Sequence, residues 1–136
     1  MEAPLYFDHQ ADIGIIGRGG SVEASFEAAA RAMFALTTNL TAVLPKETVI
    51  VEFEESDPEL ALVTWLNLLL GKSRERSLVL AYFHLRRDGD TWHGSAQGER
   101  WRSELERGVE VKGATLTMLS VVQRDGAWEA RCVVDV

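Results

Sequence analysis

The sequence predicts an α+β fold: a single domain over residues 1–136, with a mixed β-sheet and two main helices packed against it. The two helical segments lie in the first half of the chain, and one strand separates them. Two hairpin signals follow in the second half. Helices between the early strands and tight turns between the later ones are typical of α+β domains. No repeat, low-complexity tract or proline-rich linker indicates a second domain.

The first helix is predicted to begin after Ser21, whose side chain can cap it. Its apolar residues recur at helical spacing, at Val22, Phe26, Ala29, Ala30 and Met33. The glycine-rich stretch 17–20 just before it can bind a phosphate, because free N–H groups and the helix dipole meet at a helix start. It lacks the Lys-Ser/Thr pair of a P-loop, so a plain turn is the alternative interpretation.

The second helix carries signals at both ends. Asp57 is placed to be its N-cap, Pro58 is at its first position, and Gly71 is predicted to lie just past its end. Apolar residues between Leu60 and Leu70 cover most of its circumference. The helix is therefore predicted to be central and buried on more than one side.

The strands are predicted from alternation and turn residues. A short strand, IGII, precedes the glycine-rich stretch, and a second strand spans residues 47–54. Gly89 and Gly126 can supply the positive φ that hairpin turns need. They predict one hairpin between the strands 78–87 and 90–97 and another between the strands 115–124 and 128–136.

Composition narrows the classes of function. The net charge of −7 argues against broad electrostatic binding to nucleic acid and favours a cation or a basic protein surface. The single cysteine, Cys132, lies in an alternating apolar stretch, which predicts a small buried side chain and a reduced setting. The start of the chain does not resemble a signal peptide, and the apolar run 60–70 is too short to span a bilayer. The sequence therefore predicts a cytoplasmic protein with no membrane partner.

Acidic groups at the two ends of the chain are the candidate for chemistry. Asp8 and Asp12 lie just before a strand, and Asp135 alternates away from the apolar stripe of the last strand, beside the carboxylate of Val136. If these segments are neighbours, three or more oxygens converge and favour Ca²⁺ or Mg²⁺ over zinc. The alternative is a set of solvated carboxylates. His9 is either a further metal ligand or a residue that orients the backbone or a carboxylate.

Several motifs resemble the archease family, in order and over nearly the whole chain. They are DHQADIGI, SVEASFEAAARAMFALTTNL, LALVTWLNLLL, GVEVKGATLTMLSV and the final CVVDV. Archeases are small acidic cofactors of the GTP-dependent tRNA-splicing RNA ligase, which they help to activate and turn over, and they bind calcium. The resemblance implies a metal site at Asp12, Asp135 and Val136. It also matches Lys112 to a lysine of the family pattern. Lys112 either contacts the substrate or the ligase or is a solvated residue of its strand.

The chain departs from the family pattern in three places. Gln10 stands where the family usually has Thr, and Thr117 stands where a strand motif usually ends in His. The stretch 99–108 contains neither of the Asp and His residues that usually precede that strand. The family roles that depend on those side chains are therefore not carried over, whereas both aspartates of the implied metal site are present.

These observations favour an accessory protein over an enzyme. The sequence contains no nucleophile elbow, and its lone Cys is predicted to be on an apolar face, so no Ser/His/Asp or Cys/His arrangement is indicated. The leading hypothesis is a calcium-binding activator of the RNA ligase that meets RNA only through the ligase. The alternatives are a small metal-dependent hydrolase and a metal-stabilised chaperone, the latter requiring the apolar second helix to be exposed.

Overall fold

The computed structural model describes residues 3–136. These residues form two α-helices, α1 (Val22–Ala35) and α2 (Pro58–Arg76), with a short 3₁₀ helix at Leu40–Ala42. The eight strands of this described part of the chain are β1 (Leu5–His9), β2 (Asp12–Gly19), β3 (Glu47–Glu54), β4 (Leu78–Asp88), β5 (Thr91–Arg100), β6 (Gly113–Ala114), β7 (Ser120–Arg124) and β8 (Ala127–Asp135). None of the helices between residues 3 and 136 is both long and apolar enough to cross a membrane.

The strands form two sheets. The larger one has the order β1-β2-β8-β6, with β7 also paired to β8, and the smaller one has the order β3-β5-β4. The predicted α+β class, with two helices packed on sheet, is confirmed. The sheets differ from the expected single mixed sheet, because every pairing within the described residues is antiparallel. β3 and β4, which helix α2 connects along the chain, do run parallel to each other. They do not pair directly, because β5 lies between them.

Helix α1 lies between the two sheets. It packs against β2 and β8 of the larger sheet and against β4 of the smaller one. As predicted, the Ser21 side chain caps it by accepting a hydrogen bond from the Ala24 N–H at 3.0 Å. The residues predicted at helical spacing face this interior, and Phe26 and Met33 are fully buried. The apolar periodicity therefore identified the packed face of the helix.

Helix α2 begins as predicted and ends later than predicted. The Asp57 side chain caps its start by accepting a hydrogen bond from the Glu59 N–H. The predicted end at Gly71 is wrong, because the helix continues to Arg76 and closes with Ser77 at a φ of 54°. Polar contacts of its last turns hold the extension. Among them, the Ser73 hydroxyl donates to the Leu78 carbonyl and the Arg74 side chain donates to the Val111 carbonyl, so these contacts outweigh the glycine signal.

The strand predictions are correct at the turns and incomplete between them. Both predicted hairpins form, with φ of 63° at Gly89 and 78° at Gly126. The predicted strand 115–124 is too long, because Met118 has a φ of 55° and regular pairing starts only at Ser120. Strand β1 was not predicted. It pairs with β2 through a two-residue turn in which Gln10 has a positive φ of 54°.

Aromatic side chains organise the core between helix and sheet. The Trp92 ring stacks on Phe26 at 5.2 Å and on Phe53 at 5.9 Å between ring centroids. The Trp65 indole N–H donates to the Phe26 carbonyl at 3.0 Å. Cys132 is fully buried, and burial raises its pKa to about 12. The prediction of a small buried cysteine is confirmed, and its thiol stays protonated at neutral pH.

Candidate metal site

Antiparallel pairing of β2 with β8 brings the start of one strand to the end of the other. Ile13 lies opposite Val134, so the continued register places Asp12 opposite Asp135. The Oδ1 atom of Asp12 accepts a hydrogen bond from the main-chain N–H of Val136 at 3.3 Å. The structure therefore brings together the two segments that the sequence left far apart.

His9, Asp12 and Asp135 occupy one row across the larger sheet. His9 pairs with Asp12 across the β1–β2 hairpin, and Asp135 pairs with Gly113 on the other side. Directly opposite residues on paired strands share one face of a sheet, so these three side chains project the same way. Asp8 lies opposite Ile13 and is exposed on the alternate face. It is not in the row with Asp12.

The Lys112 segment forms the far side of this corner. Its main-chain N–H donates to the Asp135 carbonyl at 2.8 Å, while the Lys112 side chain is exposed. Helix α2 fixes the segment through two side chains seven residues apart on one helix face. Arg74 donates to the Val111 carbonyl at 2.8 Å, and Asn67 both donates to and accepts from the main chain of Ala114.

Sequence reasoning missed Arg74 and Asn67. Their signal was available, since two polar residues at a spacing of seven lie on the same side of a helix. The contacts themselves depend on the tertiary position of residues 111–114, which no local pattern encodes. Both residues act on the candidate site by holding the backbone next to Asp135.

The donor atoms at this corner suit a hard cation. Among residues 3–136, no group of three or more His, Cys, Asp or Glu side chains is arranged to hold a metal ion. A site at Asp12 and Asp135 therefore needs main-chain oxygen from Val136 as a third donor. Two carboxylates with main-chain oxygen form a set that Ca²⁺ accepts, since it takes six to eight oxygens in flexible geometry.

The glycine-rich stretch 17–20 has a packing role. A Cβ at Gly17 would lie 2.2 Å from the Ser25 carbonyl oxygen and 2.3 Å from the Ala29 nitrogen. A Cβ at Gly19 would lie 2.6 Å from the Ala24 side chain. These two glycines therefore let helix α1 approach strand β2 closely, which accounts for them without a bound phosphate.

The stretch that departs from the family pattern contains an ion pair whose carboxylate is buried. Glu99 is 2% exposed and receives a hydrogen bond at 2.7 Å from each of two donors, the Arg102 Nε and the main-chain N–H of Leu44. The hydrogen bond from Arg102 and that from Leu44 lower the pKa of Glu99. The pair holds the 3₁₀ region to β5, so this stretch has a structural function. Thr117, another position at which the chain departs from the family pattern, accepts a hydrogen bond at its carbonyl oxygen from the Val133 N–H.

Two histidines lie beside carboxylates outside the candidate site. His93 Nδ1 is 3.0 Å from Glu52 Oε1, and His84 Nδ1 is 3.6 Å from Glu27 Oε2. The partner of His93 lies directly opposite it on β3, whereas the partner of His84 lies on helix α1. Cys132 is fully buried in β8 of the larger sheet, whereas both histidines belong to the smaller sheet, so it does not provide either histidine with a nucleophile.

Helix α2 exposes only a small part of its apolar surface to solvent. Trp65, Leu66 and Leu69 are fully buried, whereas Leu60 is 41% and Leu68 is 36% exposed. The predicted burial of this helix is therefore correct for most of its apolar residues. The exposure that the chaperone alternative requires is limited to two leucines on this helix.

The chain is similar to known proteins over nearly its whole length. The Archease protein family matches residues 5–136. A protein archease of Sulfolobus acidocaldarius is 37% identical over 134 residues, which are 96% of each chain. The solution structure of a Methanobacterium thermoautotrophicum protein aligns over 100% of both chains at 33% identity, with a TM-score of 0.87. The crystal structure of a Thermotoga maritima archease, described as a possible chaperone, aligns with 100% of this chain and 98% of its own, with a TM-score of 0.70. At 19% identity, this similarity supports the fold alone.

Proposed function

The chain belongs to the archease family, and we propose that it activates the GTP-dependent tRNA-splicing RNA ligase by promoting its guanylylation and turnover. We further propose that it does so with a bound divalent cation, calcium first and magnesium second. The family membership supports the partner, and the geometry at Asp12 supports the cation. In this function the protein is an accessory factor, and the ligase performs the chemistry.

The observation that carries the proposal is the hydrogen bond between Asp12 and the Val136 N–H. It uses one carboxylate oxygen of Asp12 to anchor the end of β8 and leaves the other oxygen available to a cation. Asp135, in the same row, supplies the second carboxylate, and Val136 supplies main-chain oxygen. The ligands are thus positioned by a paired sheet, which lowers the entropic cost of assembling them.

The surroundings favour a cation at this corner. The chain carries a net charge of −7, which attracts cations over long range. When bound, calcium supplies a concentrated positive charge that can hold an anionic group of the partner. His9 lies beside Asp12, and Lys112 is exposed beside Asp135, so both are placed to contact a docked ligase. Calcium suits an irregular oxygen set better than magnesium, which demands near-octahedral geometry.

The test is a guanylylation assay with the purified ligase and GTP. Wild type should stimulate formation of the ligase–GMP adduct, and Asp12→Asn and Asp135→Asn should lose most of that stimulation. Asp125→Asn is the matched control, because it removes the same charge from an exposed turn where Asn tolerates the positive φ of 52°. Equal stimulation by wild type and both site variants would contradict the metal-dependent mechanism.

Two further assays, of hydrolysis without ligase and of ligase aggregation, separate the other classes of function. Turnover of a phosphate ester or amide by the purified protein without ligase would favour a metal-dependent hydrolase. Prevention of ligase aggregation by wild type and by Asp12→Asn alike, with no effect on guanylylation of folded ligase, would favour a chaperone. Stimulation that requires folded ligase, GTP and both aspartates is the result expected of an activator.

A further inference from the structure

A groove of about 720 Å³ lies at the other end of the β1–β2 hairpin from Asp12. It is bounded by the start of β1, the flank of helix α1, the 3₁₀ helix and the middle of β4. Arg18, in its wall, is six residues along β2 from Asp12, which is about 20 Å at the usual rise of a strand. The groove is therefore separate from the candidate metal site.

Apolar side chains form much of the groove wall. Leu5 and Tyr82 are 37% and 44% exposed, and Ile16, Leu40 and Phe83 line the groove with them. The Tyr82 hydroxyl donates to the Val43 carbonyl at 3.0 Å, which fixes the direction of the ring. A wall of this kind gains free energy when an apolar side chain covers it.

Two arginines in the wall lack a full set of acceptors. Arg31 forms no ion pair and no hydrogen bond through its side chain within residues 3–136. The Nε of Arg18 is buried without a hydrogen-bond acceptor, and its nearest carboxylate, Glu129, is 3.8 Å away. Glu129 is already 2.7 Å from Arg131 and 3.8 Å from Arg124. One carboxylate thus serves three arginines, and no carboxylate of residues 3–136 forms an ion pair with Arg31.

The groove also lies between two strands at the edges of their sheets. β1 ends the larger sheet and β4 ends the smaller one, so alternate main-chain groups of each face away from their own sheet. In β4, the Leu85 N–H is already taken by the Glu27 carboxylate at 2.8 Å. Nearer the groove, between Leu80 and Tyr82, the pairing of β4 with β5 is irregular. Extended chain can bind along such edges through its own backbone.

We propose that this groove binds an extended segment of a partner protein in which acidic side chains stand next to apolar ones. The carboxylates would meet Arg18 and Arg31, and an apolar side chain would cover the wall formed by Leu5 and Tyr82. A free phosphate or a nucleotide phosphate would satisfy the arginines but would leave the sheet edges unused. The three features together, charge, apolar wall and free edge, fit a peptide segment.

This inference does not depend on the proposed ligase function. Binding in the groove needs neither Asp12 nor a cation, so it should persist in Asp12→Asn and in the presence of EDTA. Loss of binding under those conditions would place the peptide at the metal corner instead and would overturn the groove proposal. Failure of ligase stimulation, by contrast, leaves the groove measurement unaffected.

The test begins with a displayed library of random ten-residue peptides, selected on the folded 136-residue protein. The selected peptides should combine Asp or Glu with apolar residues, and the most enriched one is then labelled for fluorescence anisotropy. Arg31→Glu should weaken its binding about tenfold, because it reverses a charge that meets a carboxylate. Arg86→Glu is the matched control, an exposed arginine of β4 outside the groove lining, and should leave the affinity within about twofold.

Three results would overturn the proposal. The first is a selection that yields no consensus or a basic one. The second is equal binding by wild type and Arg31→Glu, provided that circular dichroism shows the variant folded. The third comes from NMR spectra of the backbone amides. If inorganic phosphate or AMP shifts the signals of Leu40 and Tyr82, and displaces the peptide at a concentration below that of the peptide, the groove is a site for small anions.

Discussion

Asp12 Oδ1 accepts a hydrogen bond from the Val136 N–H at 3.3 Å, between residues 124 positions apart in the sequence. Antiparallel pairing of β2 with β8 makes this contact possible, because the first residue of one strand meets the last residues of the other. The contact has two parts that can be separated experimentally. One is the acceptor oxygen that holds Val136, and the other is the negative charge that would attract a cation.

Asp12→Asn separates them, since the amide oxygen still accepts from Val136 while the charge is lost. Calcium should raise the melting temperature of wild type by mass action, with about 2.7 kcal/mol of added stability at one hundred times Kd. The variant should fold and show no more than about half of that increase, because an affinity loss of about tenfold or more leaves calcium at no more than about ten times Kd. Melting curves with calcium and with EDTA check this, and an identical calcium response in both proteins would remove Asp12 from the site.

An extension after Val136 tests the main-chain donor. Adding a flexible tag of eight residues should keep the circular dichroism spectrum of the 136-residue protein, because Asp135 ends the last strand. It should abolish the calcium-dependent rise in melting temperature, since a peptide bond replaces a carboxylate beside Asp12. The same tag placed before Met1 is the control. A tagged protein that responds to calcium like the untagged one would exclude the Val136 carboxylate as a ligand.

Gly17→Ala should destabilise the protein by about 3 kcal/mol, the upper range for overpacking a tight contact. The added methyl group would collide with backbone atoms of Ser25 and Ala29, which cannot move without shifting helix α1 from β2. Gly20→Ala is the matched control, because no atom lies within 4 Å of its Cβ position. Urea unfolding measures both variants. Equal stability of the two would show that the glycine-rich stretch has a role other than packing.

Local signals in the sequence were sufficient for several parts of the fold. Ser21 and Asp57 cap their helices as predicted, and Gly89 and Gly126 form the hairpin turns, because caps and turns are decided by residues close in sequence. Strand β1 was missed because its turn uses Gln10 at a positive φ, which is uncommon for a residue other than glycine. The usual residue preferences of hairpin turns therefore did not predict the turn at Gln10.

The position of the candidate site was also predictable in part. The approach of Asp12 to the chain end followed from acidic residues in strand segments and from a resemblance over the whole chain. The support from Arg74 and Asn67 could not be predicted, because it depends on where residues 111–114 lie relative to helix α2. The groove lined by Arg18 and Arg31 likewise requires the packing of both sheets around α1.

Gly71→Ala should stabilise the protein by about 1 kcal/mol, the usual difference between the two residues in a helix interior. Gly71 lies within helix α2 rather than at its end, is exposed, and has open space at its Cβ position. Thermal and urea unfolding measure the change. A loss of stability would mean that the last turns of α2 need the freedom of glycine, for instance to bring Arg74 to the Val111 carbonyl.

Glu99 should make the protein sensitive to acid. Hydrogen bonds from Arg102 and from the Leu44 N–H lower its pKa below the ordinary 4.5, so the unfolded chain binds a proton more readily than the folded one. The stabilisation by the carboxylate is therefore complete above pH 4.5 and is lost as pH falls through the lower folded pKa. Glu99→Gln should lower the melting temperature at pH 7 and flatten the decline of the melting temperature in that acidic range.

Glu106→Gln is the matched control, because it removes an exposed carboxylate from the same stretch. It should change neither the melting temperature at pH 7 nor its dependence on acid. If Glu99→Gln melts with the same acid dependence as wild type, another carboxylate controls the acid response, and the ion pair of Glu99 with Arg102 does not contribute to it.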